Sequence, residues 1–116
     1  MSWSETGSIW VDVRPGPDAI EVRVEGELDL FTAETLRRQV WAAVGHQHAS
    51  QVRVDLDGCT FLDSAGVYVL IQLDQALTER GGSLRVVAAS PEVRHTVRST
   101  GRGHLVADLG PGVDVG

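Results

Sequence analysis

The 116-residue chain reads as one α/β domain: a mixed, mostly parallel sheet of about five strands packed with three to four helices, in the order β-β-α-β-α-β-α-β. Three observations predict this. Segments that alternate apolar and polar residues are interleaved with segments whose apolar residues recur at helical spacing. Pro15-Gly16-Pro17 joins the first two alternating segments through strong turn chemistry, so they pair as a hairpin. Each later alternating segment follows a helical one, which requires crossovers and parallel neighbours.

The first strand is expected at Ile9 to Val13. The second, Ala19 to Glu25, puts Ile20, Val22 and Val24 on one side and Glu21, Arg23 and Glu25 on the other, the pattern of a strand with one wet face. "GELDLF" breaks that alternation. Ala33, Leu36, Val40, Ala43 and Val44 then fall at helical spacing, giving a helix from Thr32 to Val44. Thr32 is its expected N-cap, Glu34 suits the positive first turn, and Gly45 is the expected stop. "HQHAS" reads as a loop. Gln51 to Leu56 alternates again, with Val52, Val54 and Leu56 inward.

A second helix is expected from Ser64 to Glu79. Leu70, Leu73 and Leu77 form its contact stripe, and Val67, Val69, Ile71 and Ala76 widen it, which implies burial on more than one side. "RGG" ends it. Ser83 to Ala89 is a strand. Ser90 and Pro91 suit the N-cap and N1 positions of a short helix, Pro91 to Thr100. Leu105 to Leu109 is the expected last strand. Residues 1–8 are expected to be a flexible N-terminal segment, 9–109 the domain, and 110–116 a flexible tail.

Composition narrows the function classes. The chain is 42 % hydrophobic and 22 % charged, as ordinary globular proteins are. Its net charge of −6 argues against nucleic acid as a partner, because phosphate backbones need a basic face. All ten basic residues are arginine. Without lysine there is no Schiff base, no phosphate-loop lysine and no receiver-type phospho-aspartate site. The lone Cys59 forms no internal disulfide, which fits a reducing cytoplasm, and it sits in an apolar context suited to the core. No apolar run approaches the ~20 residues of a membrane span, and "MSWSETGS" has no export-signal pattern.

The candidate chemistry collects where strands hand over to helices. Asp57, Asp63 and Ser64 fall between the third strand and its helix, and Glu27 and Asp29 at the matching end of the second strand. In sheets of this kind functional residues gather at such strand ends. A Ser at a helix start is commonly only a cap. Two points favour more for Ser64. Gly66 lacks a side chain, so a partner can approach the backbone closely. The first turn of a helix also tolerates an anion, so a phosphate on Ser64 would not unfold its owner. Asp55, Asp57 and Asp63 have weak spacing for a metal and read as solvated acids. His46, His48, His95 and His104 show no zinc spacing with Cys59. Leu62-Asp63-Ser64-Ala65-Gly66 is not a nucleophile elbow, so no catalytic residue, cofactor or metal is expected. The spacing of Trp3, Trp10 and Trp41 argues nothing.

"GELDLFTAETLR" (Gly26 to Arg37), "CTFLDSAG" (Cys59 to Gly66), "GGSLRVVAASPEV" (Gly81 to Val93) and "STG" (Ser99 to Gly101) occur in order with fitting gaps. Together they resemble the STAS domain of bacterial anti-sigma factor antagonists, over roughly residues 9 to 109. The resemblance implies a cytoplasmic regulator of transcription rather than an enzyme. It would bind an anti-sigma factor that is also a serine kinase with a histidine-kinase-like ATP fold, and so release a sigma factor. Phosphorylation would end the association, and a PP2C-type phosphatase would restore it. Ser64 matches the phosphoacceptor, and Asp29 the acidic residue that faces a basic group on the partner. Asp63 and Gly66 complete the acceptor loop; Glu27, Asp57, Ala65 and Val67 fill out the expected partner-binding set.

The sequence departs from the family pattern in three places. Ala65 stands where a second hydroxyl often follows the acceptor, which leaves one group to modify. Only "GPGVDVG" follows Leu109, where a fourth helix is common; either one sheet face is partly uncovered or the segment with Trp3 covers it. Arg102 replaces an apolar residue in the last turn. Two other readings stand beside the antagonist: a STAS interaction module of a lipid-transport or stress-signalling complex, and a sensor binding nucleotide or another small ligand at the strand ends.

Overall fold

The computed structural model describes residues 2–3, 9–47 and 49–109. The elements are β1 (Ser2–Trp3), β2 (Ile9–Pro15), β3 (Ile20–Leu28), α1 (Ala33–Gln47), β4 (Gln51–Leu62), α2 (Ser64–Thr78), β5 (Ser83–Ala89), α3 (Pro91–Ser99) and a 3-10 segment, Gly103–Leu109. The sheet order is β1-β2-β3-β4-β5. β2 runs antiparallel to both β1 and β3, and β3, β4 and β5 run parallel, each parallel step being made through a helix. Residues 4–8, His48 and the expected tail at 110–116 lie outside the described residues.

Alternation decides the layers. On β3, Ile20, Val22 and Val24 are buried while Glu21 and Arg23 are exposed; on β4, Val52, Val54 and Leu56 are buried while Gln51 and Arg53 are exposed. One face therefore carries the core, shared with Leu36 and Val40 of α1, Leu70, Leu73 and Leu77 of α2, and Val93 and Val97 of α3. Parallel strands are usually covered on both faces. Here, among the described residues, the second face is held by charge instead.

That charge is ordered by the strand register. Asp12, Arg23 and Asp55 are consecutive partners across β2, β3 and β4, and Arg14, Glu21 and Arg53 form the next row. Opposite charges thus face each other at each step, and Arg53 reaches Glu21 at 3.6 Å. Such cross-strand pairs each contribute a few tenths to about 1 kcal/mol, and a one-residue slip would lose them all.

Several boundaries differ from the sequence expectation. The break at "GELDLF" is a bulge rather than an end: Gly26 adopts φ 100°, the register shifts, and Glu27 and Leu28 go on pairing with Phe61 and Leu62. β4 likewise runs through Cys59 to Leu62 instead of stopping at Leu56. Gly45 does not stop α1, and His46 and Gln47 are helical rather than part of a loop. Ser90 and Pro91 do begin α3, the Ser90 hydroxyl accepting from Val93 N at 3.2 Å.

The expected last strand, Leu105 to Leu109, is a 3-10 segment. Leu105 and Val106 are both buried, at 1 % and 0 % exposure. A strand would point these neighbours to opposite faces, whereas a tight turn packs both against β5 and α3. The Arg94 guanidinium, itself buried, donates to the Leu109 carbonyl at 3.3 Å and holds the end of this segment.

Truncation on the two faces of β4 should therefore give unequal costs. Leu56→Ala, at a fully buried position, is expected to lose about 2–5 kcal/mol in urea unfolding. Arg53→Ala, on the charged face, is expected to lose at most about 0.5–1 kcal/mol in the same measurement.

Candidate functional site

The parallel pairing of β3 with β4 extends to Leu28 and Leu62, so the two strands end side by side. Asp63 N donates to the Leu28 carbonyl at 3.2 Å, which ties the start of α2 to the end of β3. Asp63 then takes an extended conformation and caps the helix: its Oδ1 accepts from Gly66 N at 3.0 Å and its carbonyl from Val67 N at 3.1 Å.

The cap of α2 is thus Asp63. Ser64 is the first helical residue, it is exposed, and its hydroxyl makes no hydrogen bond to a described residue. The local role commonly given to such a serine is filled by its neighbour. The hydroxyl stands free at the positive end of a 15-residue helix.

A second capping arrangement lies at the adjacent strand end. Asp29 Oδ1 accepts from Phe31 N at 2.9 Å and Thr32 N at 3.0 Å, while Asp29 N donates to Thr32 Oγ1 at 2.9 Å. The Thr32 hydroxyl in turn donates to the Glu27 carbonyl at 2.7 Å. Thr32 was the expected cap of α1; instead its buried hydroxyl locks the turn from behind, and the carboxylate of Asp29 serves the N–H groups in front. One oxygen of Asp29 is therefore engaged within the chain.

The expected partner-binding residues separate into two groups. Glu27, Asp29, Asp63 and Ser64 come together at this end of the sheet, with half-buried Ala65 beside them. Asp57 does not join them. Because β4 continues to Leu62, Asp57 lies within the strand on the charged face, roughly 16 Å of strand from Leu62. Val67 is 1 % exposed and belongs to the core. Gly66 is buried as well. A Cβ there would lie 2.6 Å from the Leu28 carbonyl oxygen and 2.7 Å from Leu62 Cδ1. Its missing side chain serves the packing of α2 on β3, not the approach of a partner.

Four exposed apolar side chains were not singled out in the sequence: Leu30 and Phe31 on the β3–α1 turn, Phe61 near the end of β4 on the side away from buried Leu62, and Tyr68 one helical turn after Ser64. The available signal was two large apolar residues enclosed between the capping residues Asp29 and Thr32, where side chains point away from the helix. Trp41, by contrast, carries Arg80 over its ring at 5.9 Å, joining α1 to the far end of α2.

Burial pushes the Cys59 thiol above its ordinary range, and the thiol donates to the Phe61 carbonyl at 3.1 Å. Among the described residues, no group of three or more His, Cys, Asp or Glu side chains is arranged to hold a metal. A groove of about 730 Å³ lies at the opposite end of α2, lined by Asp74, Thr78, Leu84 and His104. It is remote from the strand ends where a ligand was considered. His104 Nε2 is 3.0 Å from Asp74 Oδ2 there, and the other Asp74 oxygen accepts from Leu84 N.

The division of labour at the start of α2 has a measurable consequence. Asp63→Ala should cost about 0.5–2 kcal/mol of stability through the lost cap, whereas Ser64→Ala should stay within about 0.5 kcal/mol. Gly66→Ala should cost more than either, since the obstructing atoms include backbone. Chemical denaturation of the three variants checks the order.

Comparison with known proteins agrees with the fold. The family model for the STAS domain matches residues 11–114. An anti-sigma F factor antagonist of Paenibacillus polymyxa is 28 % identical over 80 residues, covering 69 % of this chain and 68 % of its own. The crystal structure of an anti-sigma factor antagonist from Mycobacterium paratuberculosis superposes with TM-score 0.71 at 31 % identity, covering 81 % of this chain and 79 % of that one. The antagonist SpoIIAA superposes in its unphosphorylated form with TM-score 0.73 at 22 % identity (82 % and 84 % covered) and in its phosphorylated form with TM-score 0.67 at 21 % identity (82 % and 86 % covered). With nearly the whole ordered domain accounted for by one family model and by this shared architecture, the chain belongs to the STAS domain family.

Proposed function

We propose that this protein is an anti-sigma factor antagonist whose binding is switched by phosphorylation of Ser64. Its partner is an anti-sigma factor serine kinase with a histidine-kinase-like ATP fold, and its association with that kinase frees a sigma factor. Phosphate transfer from ATP to the Ser64 oxygen ends the association, and a PP2C-type phosphatase removes the phosphate by hydrolysis. The chain itself is a binding module and carries out no catalysis. It acts in the cytoplasm, where the transcription machinery resides.

The observation that carries this reading is the free, exposed hydroxyl of Ser64 at a helix start that another residue already caps. A kinase can reach it without unwinding α2. Once modified, the phosphate sits near first-turn N–H groups and the positive helix end, so the host fold accommodates it. The relatives named as anti-sigma factor antagonists, and a fold neighbour solved in phosphorylated and unphosphorylated forms, support the same role. Among the described residues, no helix is long and apolar enough to cross a membrane.

Electrostatics accounts for the release. Phosphorylation adds about 1.5–2 negative charges at neutral pH. They arrive beside Asp63, with Glu27 and Asp29 on the neighbouring strand end. An interface matched to the unmodified acidic surface must then hold extra like charge, at a cost of several kcal/mol, and each ~1.4 kcal/mol weakens affinity tenfold.

Ser64→Ala is expected to bind the kinase within a few-fold of wild type and to take up no phosphate from ATP. Ser64→Glu is expected to bind at least roughly tenfold more weakly. Titration calorimetry with the purified kinase, and phosphopeptide mass spectrometry of the wild-type chain, measure both. Phosphate found only on another residue would overturn the assignment.

A further inference from the structure

The groove of about 730 Å³ at the far end of α2 is used neither by the core nor by the Ser64 switch. Sites for small organic molecules are commonly of this size, ~300–1,000 Å³. Three parts of the chain wall it. Ile71, Asp74 and Thr78 recur at helical spacing and share one face of α2; Leu84 and Arg85 come from the start of β5; Arg102 and His104 come from the turn into the 3-10 segment. Thr78 follows Ser64 by fourteen residues of one helix, so the groove lies roughly 20 Å from the acceptor hydroxyl.

One residue ties these walls together. Asp74, whose side chain is 14 % exposed, accepts from Leu84 N at 3.0 Å through Oδ1, and its Oδ2 lies 3.0 Å from His104 Nε2. It joins α2 to β5 and to the 3-10 segment, so the groove exists before any ligand arrives, and both carboxylate oxygens already have partners within the chain. The mouth carries the opposite charge. Arg85 and Arg102 line it from two different elements, and both are exposed. Arg102 makes no hydrogen bond or ion pair to a described residue, whereas Arg14, Arg37 and Arg53 are each committed to a carboxylate. Arg85 is the register partner of Arg53, and like charges set directly opposite repel. Glu79 is the other acid on the lining.

We propose that this groove binds a small organic anion, a carboxylate or phosphate monoester with an apolar body. The body lies against Ile71 and the aliphatic floor at Leu84, and the head group meets the guanidiniums of Arg85 and Arg102. A guanidinium offers a planar fork of donors that matches either head group. In a chain of net charge −6 an anion is repelled by most of the surface, so two arginines from separate elements decide where it settles. The same guanidiniums turn away a metal cation. Arg102 also explains itself here: it departs from the family pattern by setting a charge where an apolar side chain is usual, at the edge of a groove that a charge makes selective. The site stands apart from the Ser64 switch, and neither depends on the other.

The test uses the full chain and two probes, decanoate and octyl phosphate, each below its micelle-forming concentration. Octanol and inorganic phosphate serve as the body and the head alone. Calorimetry is expected to show saturable binding of at least one charged probe, with octanol and inorganic phosphate each at least roughly tenfold weaker. The tighter of the two charged probes identifies the head group. Arg85→Gln and Arg102→Gln are each expected to weaken binding roughly tenfold, and Glu79→Gln to strengthen it roughly twofold, a gain that damage to the fold does not produce. Melting temperatures should stay at the wild-type value, because all three side chains are exposed. In an amide NMR titration the shifts should fall on Ile71, Thr78, Leu84 and Gly103. Four results would each overturn the proposal: no saturable binding of either charged probe, octanol binding as tightly as they do, affinity within about twofold of wild type in both arginine variants, or shifts centred on Asp63 to Gly66. None of them bears on phosphorylation of Ser64.

Discussion

The parallel contact between the ends of β3 and β4 governs the rest of the site. Leu28 and Leu62 are paired, Asp63 N donates to the Leu28 carbonyl, and Gly66 packs where any Cβ would collide with that same carbonyl. These contacts set the angle at which α2 leaves the sheet. They also bring two chain reversals, separated by more than thirty residues of sequence, onto one small surface. Had β3 ended at Glu25, Glu27 to Thr32 would have had no ladder to hold them beside Asp63 and Ser64.

Each reversal is closed by an aspartate, and this repetition matters for what is left over. Asp29 closes the turn into α1 by accepting from Phe31 N and Thr32 N, and Asp63 caps α2 by accepting from Gly66 N. The hydroxyl of Thr32 is spent inward on the Glu27 carbonyl. The hydroxyl of Ser64 has no such duty. A modifiable group needs this independence: its chemistry can change without removing a hydrogen bond on which the fold relies.

The two faces of the sheet solve the same problem differently. On one, aliphatic side chains bury against three helices. On the other, opposite charges meet across three strands, with Arg53 beside Glu21 in an exposed pair and Arg14 donating along its own strand to the buried Asp12 at 2.9 Å. Exposed ion pairs add little stability individually, but their alternating order disfavours any slipped pairing. A mixed sheet can therefore keep a defined register without the second helical layer that parallel strands usually receive. The 3-10 segment closes the remaining side of the core by burying Leu105 and Val106 together against β5 and α3.

Much of this was legible in the residues alone. The period-two segments identified the second to fifth strands of the sheet in chain order, the helical stripes identified all three helices, and Ser90-Pro91 marked the start of α3, because each depends on local chemistry within a few residues. The loop before α2 stood out for the same reason: an Asp, a Ser and a Gly between a strand and a helix. What escaped was set by distant contacts. The true ends of β3 and β4 depend on a bulge at Gly26 and on pairing across the chain, so Asp57 moved from the loop into a strand. Leu105 to Leu109 folded as a turn because both leading residues had core to fill. The sequence by itself thus determined the four longer strands and the three helices, each from a pattern within a few residues. Only the tertiary structure decided what lies beside Ser64, since pairing between remote strands, and not any local pattern, sets Leu28 against Leu62 and so brings the Asp29 turn next to Asp63.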